Sequence, residues 1–182
     1  MQHVIDLTDP NTIDKRKEKA ISGLKGLQTP DGGFRWFSKT DPSLFITLEV
    51  LEDFANLKTL GYLMADAELT EMLKKACNYV DAEVIKEIEK YNIKKNQYSG
   101  YFNYILIRDR FTEFELPKKI REIKKEVVDF AKKDWRKLSL SSQAEAAILL
   151  ADNGYQSEAE SIIESLRQRA RKDDSIGFYW DL

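Results

Sequence analysis

The feature that most constrains how this chain can fold is an alternation in the width of successive apolar faces. Four prolines and eight glycines punctuate the 182 residues. The segments between them repeat their apolar residues at the helical period far more than at the period of two that marks strands. The pattern predicts about seven helices. The first, Thr12 to Leu27, has a narrow stripe of Ile13, Ala20, Ile21, Leu24 and Leu27 among lysines, so one face is wet. The second lies between Asp41-Pro42, read as N-cap and first helical residue, and Gly61, read as a left-handed stop. Its apolar residues Phe45, Ile46, Leu48, Val50, Leu51, Phe54, Ala55 and Leu57 surround most of the cylinder, which predicts burial on several sides.

The alternation then continues. Asp66 to Tyr91 returns to a stripe (Leu69, Leu73, Ala76, Val80, Val84, Ile88), and Gln97 to Phe111 is again wide, with Tyr101, Phe102, Tyr104, Ile105, Leu106 and Ile107. A fifth helix opens on Pro117 with a stripe at Ile120, Ile123, Val127, Ala131, Trp135 and Leu138. Ser142-Gln143-Ala144-Glu145 and Ser157-Glu158-Ala159-Glu160 read as capping boxes for a wide sixth helix, ending near Gly154, and a narrow seventh. Narrow faces suit outer helices, and wide faces suit inner helices covered on both sides. Successive pairs start near Thr12, Asp66 and Pro117, roughly 50 residues apart, longer than tetratricopeptide, armadillo or HEAT repeats. The expected fold is therefore all-α: one helical domain over residues 1–182, an α/α toroid-like arc of about seven helices in alternating outer and inner layers.

Within it, Asp31-Gly32-Gly33-Phe34-Arg35-Trp36 is echoed by Ser175-Ile176-Gly177-Phe178-Tyr179-Trp180, in the order Gly-Phe-x-Trp. Each copy follows an outer helix, and the second is expected to lead into an inner helix beyond Leu182. Asp31 and Gly32 suit a turn with positive backbone angles, and Gly33 lets the chain pass close to a neighbouring helix. Phe34 and Trp36, two apart in an extended segment, are expected to point together into the gap between two helices. Gly177 and Phe178 take the equivalent structural role.

Several stretches resemble a known family. Leu24-Lys25-Gly26-Leu27-Gln28-Thr29-Pro30-Asp31-Gly32-Gly33-Phe34-Arg35-Trp36-Phe37, then Thr47-Leu48-Glu49-Val50-Leu51 and Leu57-Lys58-Thr59-Leu60-Gly61, resemble the thioester-type helical domain of bacterial alpha-macroglobulin family proteins. Lys133-Asp134-Trp135 through Leu140-Ser141-Ser142-Gln143-Ala144 to Gly177-Phe178-Tyr179-Trp180 resembles its continuation. The Gln-x-x-Asp-Gly-Gly-Phe element is shared across the α/α toroid superfamily of terpenoid cyclases and protein prenyltransferases. The resemblance implies a piece of a large secreted, periplasmic or envelope-associated protein whose relatives trap proteases, so the expected partners are other domains of that protein and, through it, proteases. Such relatives form an internal thioester from Cys-x-Glu-Gln, and this chain departs from that motif. Cys77-Asn78-Tyr79-Val80 has no Glu-Gln pair, so Cys77 reads as a small core residue.

The remaining chemistry is thin. The formal charge of -2 and interleaved runs such as Lys15-Arg16-Lys17-Glu18-Lys19 give no nucleic-acid footprint. No apolar run reaches the ~20 residues of a membrane span, and the first residues do not read as a signal peptide. His3 is the only histidine and Cys77 the only cysteine, too few for a prenyltransferase-like zinc site or a Ser-His-Asp set. Asp173-Asp174 reads as an exposed turn, not a cyclase motif. Asp31, Asp41, Glu49 and Asp181 fall near one rim of such an arc, where a glycosidase would need two facing carboxylates, but carboxylates are abundant in the chain and two falling together mark no pair. The expectation is a non-enzymatic domain with no cofactor or metal. Trp36, Phe37, Tyr98, Tyr101, Tyr179 and Trp180 form a candidate binding rim for sugar or peptide, or wedges between helix pairs. That rim motivates the alternative of a carbohydrate-active enzyme or glycan-binding module. The tetratricopeptide-like stretch Ala146 to Ala159 motivates a helical-repeat scaffold. An open arc also leaves inner helices uncovered, which predicts a homodimer.

Overall fold

The computed structural model describes residues 10–62, 66–91, 93, 95–175 and 177–180. The protein is all-α, with seven α-helices and one two-stranded hairpin among the described residues. The helices are α1 Pro10–Leu27, α2 Leu44–Thr59, α3 Ala67–Tyr91, α4 Phe102–Asp109, α5 Lys118–Asp134, α6 Leu140–Asp152 and α7 Gln156–Arg169. Strands β1 Arg171–Asp173 and β2 Gly177–Tyr179 pair antiparallel, Lys172 opposite Phe178. The chain divides into two compact units, the first ending at Val84 and the second starting at Ile85, so the division falls inside α3.

In the first unit, α2 is capped by Ser43, whose side chain accepts from the Ile46 amide; the cap lies two residues past the expected Asp41. At its other end the Gly61 amide donates to the Lys58 carbonyl and the Tyr62 amide to the Leu57 carbonyl, with Gly61 at φ 75°. This is a Schellman stop, and it places Tyr62 beside Leu57. Asp66 caps α3 by accepting from the Leu69 amide at 2.7 Å. That amide, with Lys25 and Lys17 nearby, holds the Asp66 carboxyl below its ordinary range.

The α3 stripe of Leu69, Met72, Leu73, Ala76, Cys77, Val80 and Val84 is buried, together with Leu51 and Phe54 of α2 and Phe34. Each large apolar side chain buried here contributes roughly 1.5–3 kcal/mol. Burial of α2 on several sides is not what the structure has. Thr47, Leu51, Phe54 and Ala55 are buried, spaced as one stripe, while Phe45 is 64% and Leu57 41% exposed. Periodicity marks which positions are apolar; nothing among the described residues covers the second face of α2.

The second unit centres on Phe102 and Ile105 of α4, Ile120, Val127 and Ala131 of α5, Ala146, Leu149 and Leu150 of α6, and Ala159 and Ile162 of α7. The expected helix from Gln97 to Phe111 is instead a 3₁₀ turn, Lys95–Tyr101, leading into the shorter α4. Gly100 disfavours α-helix at the junction. In a 3₁₀ turn residues three apart eclipse, so Tyr98 and Tyr101 face the same way. Helix α5 is preceded by Pro117 and ends in a second 3₁₀ turn at Trp135–Lys137.

The cap of α6 is Ser139, accepting from the Ser142 amide, rather than Ser142 itself. Helix α7 starts after Tyr155, with Ser157 inside its first turn. Gly154 at φ 83° stops α6 with the bonds seen at Gly61: Tyr155 amide to Leu150 carbonyl at 2.8 Å, Gly154 amide to Ala151 carbonyl at 3.1 Å. Helix α6 also leaves Ile148 half exposed, so its wide face, too, is only partly covered.

Candidate functional site

Residues 28–34 form the structural hub of the first unit. Thr29 to Gly32 is a β-turn with Pro30 at its second position, closed by the Gly32 amide on the Thr29 carbonyl at 2.9 Å. Gln28 and Phe34 bridge antiparallel behind it. Gly32 has φ 98°, and a Cβ there would lie 2.2 Å from the Lys75 carbonyl oxygen on α3. A Cβ on Gly33 would lie 2.7 Å from both Pro42 and the Tyr79 ring. The two glycines are therefore the reason the loop can lie against α3.

The loop is also clamped by side chains. The Gln28 amide donates to the Gly32 carbonyl at 2.9 Å and the Met72 carbonyl at 2.8 Å. The Phe34 amide donates to the Thr47 hydroxyl at 2.8 Å, and that hydroxyl donates to the Ser43 carbonyl at 2.8 Å. Thr47 was not singled out by sequence; its signal is a lone hydroxyl in the apolar run of α2.

Along α1 and α2, in the same unit, runs an apolar groove of about 410 Å³. Ala20, Ile21 and Leu24 of α1 form one wall; Val50, Phe54 and Leu57 of α2 form the other; Leu69 and Tyr62 complete it. The Schellman stop turns Tyr62 back beside Leu57 on the groove, where Tyr62 is 71% exposed. Lys17 on the α1 wall and Asp53 on the α2 wall are its charged groups. Neither is in an ion pair among the described residues. A groove of this kind has volume and lining for apolar side chains. Its sequence signal is the apolar width of α2 combined with the Leu57-Gly61-Tyr62 register.

The six candidate rim aromatics do not form one surface of one unit. Trp36 and Phe37 belong to the first; both are exposed, edge to face with ring centres 6.2 Å apart. Trp36 thus departs from the expectation that it points with Phe34, which is 1% exposed. In the second unit Tyr98 and Tyr101 are core residues. The Tyr98 hydroxyl donates to Glu126 at 2.6 Å and the Tyr101 hydroxyl to Glu87 at 3.4 Å. Burial first, and then the neighbouring carboxylate, pushes each phenol up to about 12. Tyr179 is half-buried on β2, and Trp180 after it donates its indole N–H to the Leu166 carbonyl at 2.8 Å.

Among the remaining candidates, Cys77 is fully buried in α3. Asp31 and Asp41 are exposed, as is Glu49 on α2, while His3, Ile176 and Asp181 lie outside the described residues. Asp173 accepts from the Ser175 amide at 2.8 Å, making the Asp173-Asp174 stretch a side-chain-closed turn. Among the described residues no three potential ligands gather as a metal site, and no helix is long and apolar enough to cross a membrane.

Fold and site together define an all-α protein with an open apolar groove on its first unit. No family model, curated protein or solved structure matches the chain.

Proposed function

We propose that the chain is a non-catalytic helical interaction domain of an alpha-macroglobulin-like protein, contributing surface to protease trapping or envelope defence outside the cytoplasm. In this reading the helices belong to an α/α toroid-like arc, as their alternating apolar widths suggest. The observation that carries it is α2, a helix with the composition of an inner helix that leaves Phe45, Leu57 and the groove beside Leu57 uncovered. Uncovered apolar surface of this kind marks an interaction face. The resemblance around Gln28 to Phe37 supplies the family. The test uses the full-length parent protein incubated with endoproteases and resolved by size exclusion. The expected outcome is protease co-eluting with the parent; protease eluting free, with the parent cut to unassociated fragments, overturns the reading.

A second reading, a glycan-binding module, is favoured by one observation: Trp36 and Phe37 are 63% and 62% exposed and edge to face. Exposed aromatic faces stack on sugar rings. Glycan-array binding lost in Trp36→Ala supports it, and an array with no hit removes it.

A further inference from the structure

We propose that Asn153-Gly154, where α6 stops, is a self-modification site that the fold holds shut: once the end of α6 opens, Asn153 converts to aspartate or isoaspartate, and the native turn no longer accepts it. The inference concerns the second unit and does not depend on the proposed function.

Asn153 is the one asparagine in the sequence followed by glycine. In such a pair the glycine backbone nitrogen attacks the side-chain carbonyl carbon of the asparagine, because no Cβ shields it. The new C–N bond closes a five-membered succinimide. The side-chain nitrogen leaves as ammonia, taking the proton released from the glycine N–H, and water then opens the ring at either carbonyl to give isoaspartate or aspartate. Water is the only other reactant.

The folded turn blocks this attack in three ways. With Asn153 at ψ 15°, the Gly154 nitrogen is nearly eclipsed with the nitrogen of Asn153 itself, whereas ring closure needs it on the side of Cβ. The Gly154 N–H is engaged by the Ala151 carbonyl at 3.1 Å, and the next amide, Tyr155, by the Leu150 carbonyl at 2.8 Å. The leaving group is held as well: Asn153 Nδ2 donates to the Leu149 carbonyl at 2.8 Å and reaches Asp109 Oδ2 at 3.5 Å. All three share one release, since rotating ψ requires the last turn of α6 to come undone. Arg110 on Asp152, at 2.8 Å, ties that same turn to the end of α4. Such local openings cost less than unfolding the whole chain.

The contacts that hold the asparagine refuse its product. A carboxylate at position 153 has no hydrogen to give the Leu149 carbonyl, and it sets a second negative charge beside Asp109, which Lys124 already engages at 2.7 and 2.8 Å. Isoaspartate also adds a methylene to the backbone inside the turn. Modification is therefore one-way, and each event records an opening of α6.

The experiment maps aspartate and isoaspartate at residue 153 by mass spectrometry, on the whole chain aged in mildly alkaline buffer with and without denaturing guanidinium chloride. The native chain should convert at least about tenfold more slowly, by the fraction of time the end of α6 is open. Equal rates overturn the proposal. In equilibrium unfolding, Asn153→Asp should lower the folding constant about tenfold. Lys124 and Asn153 line one hollow of about 260 Å³, so the lysine can reach a carboxylate at either position. Asn153→Asp/Asp109→Asn, which exchanges amide and carboxylate, should thus recover most of the loss. Asn153→Asp as stable as wild type overturns the refusal of the product. So does an exchange variant as weak as Asn153→Asp, which keeps the test decisive even where the single variant does not fold.

Discussion

Phe34 and Phe178 hold the same place in two copies of Gly-Phe-x-Trp, yet Phe34 is 1% exposed and Phe178 69%. The difference lies in what each loop rests on. The first copy lies against α3 so closely that its glycines have no room for a Cβ, and it is clamped by Gln28 and Thr47. The second is a two-stranded hairpin closed by its own backbone ladder, with nothing within 4 Å of a Cβ on Gly177. Even the positive φ has moved. It falls on Gly32, one before the Gly-Phe pair, in the first copy, and on Gly177, within the pair, in the second. Repetition of a motif therefore transmits a tendency to turn, while burial is set by the neighbouring helix.

Three paired substitutions and one single one test that contrast, read by urea unfolding of the whole chain. The largest gap is expected between Phe34→Ala, costing about 3–5 kcal/mol through lost burial and a cavity, and Phe178→Ala, within about 0.5 kcal/mol of wild type. Equal costs would mean that the second hairpin also packs into a core. Next is Gly32→Ala against Gly177→Ala. Both pay a left-handed backbone cost of roughly 1–2 kcal/mol. Only Gly32 adds overlap with a backbone oxygen that cannot swing aside, another ~1–3 kcal/mol. If the two glycines respond alike, the close approach to α3 is not a constraint.

Third, Thr47→Val preserves shape but leaves the buried Phe34 amide without its acceptor, which should cost about 1–3 kcal/mol. The second copy has no counterpart to this clamp to lose, since Phe178 is held opposite Lys172 in the ladder. A neutral Thr47→Val would show that the first loop is held by packing alone.

Helix positions are legible in the sequence because a 3.6-residue repeat directly encodes a buried face, and Gly61 and Gly154 announce their stops through the left-handed angle only glycine adopts cheaply. Starts are less legible for a local reason. Ser139, Ser141 and Ser142 all offer hydroxyls within four residues, and the choice of Ser139 depends on where the preceding 3₁₀ turn at Trp135–Lys137 releases the chain. The coverage of α2 is not encoded locally at all: Phe45 and Leu57 look as buried as Leu51 until their neighbours are placed. The groove was hidden for the same reason. Its parts are ordinary stripe residues of two helices, joined only when the Gly61 stop turns Tyr62 back onto Leu57. The aromatic rim failed oppositely, because Tyr98 and Tyr101 share an eclipsed 3₁₀ turn that points them inward to Glu126 and Glu87.

The smallest expected effect separates the two tryptophans that close the motifs. Leu166 lies in the last turn of α7, where carbonyls run out of amides from their own helix. The hairpin returns Trp180 to that turn, and its indole N–H supplies a donor at 2.8 Å. Trp36 has an aromatic neighbour in Phe37 and is 63% exposed. Trp180→Phe keeps a ring over Leu140 and Ala144 but loses the donor, so it should cost about 0.5–1.5 kcal/mol, toward the lower end because water can reach that carbonyl. Trp36→Phe should stay within about 0.5 kcal/mol. The signs of the contrast are then reversed between positions: the first copy matters at its phenylalanine and the second at its tryptophan. A larger cost at Trp36 than at Trp180 would mean that the second hairpin does not cap α7, and that its fold depends on the ladder alone.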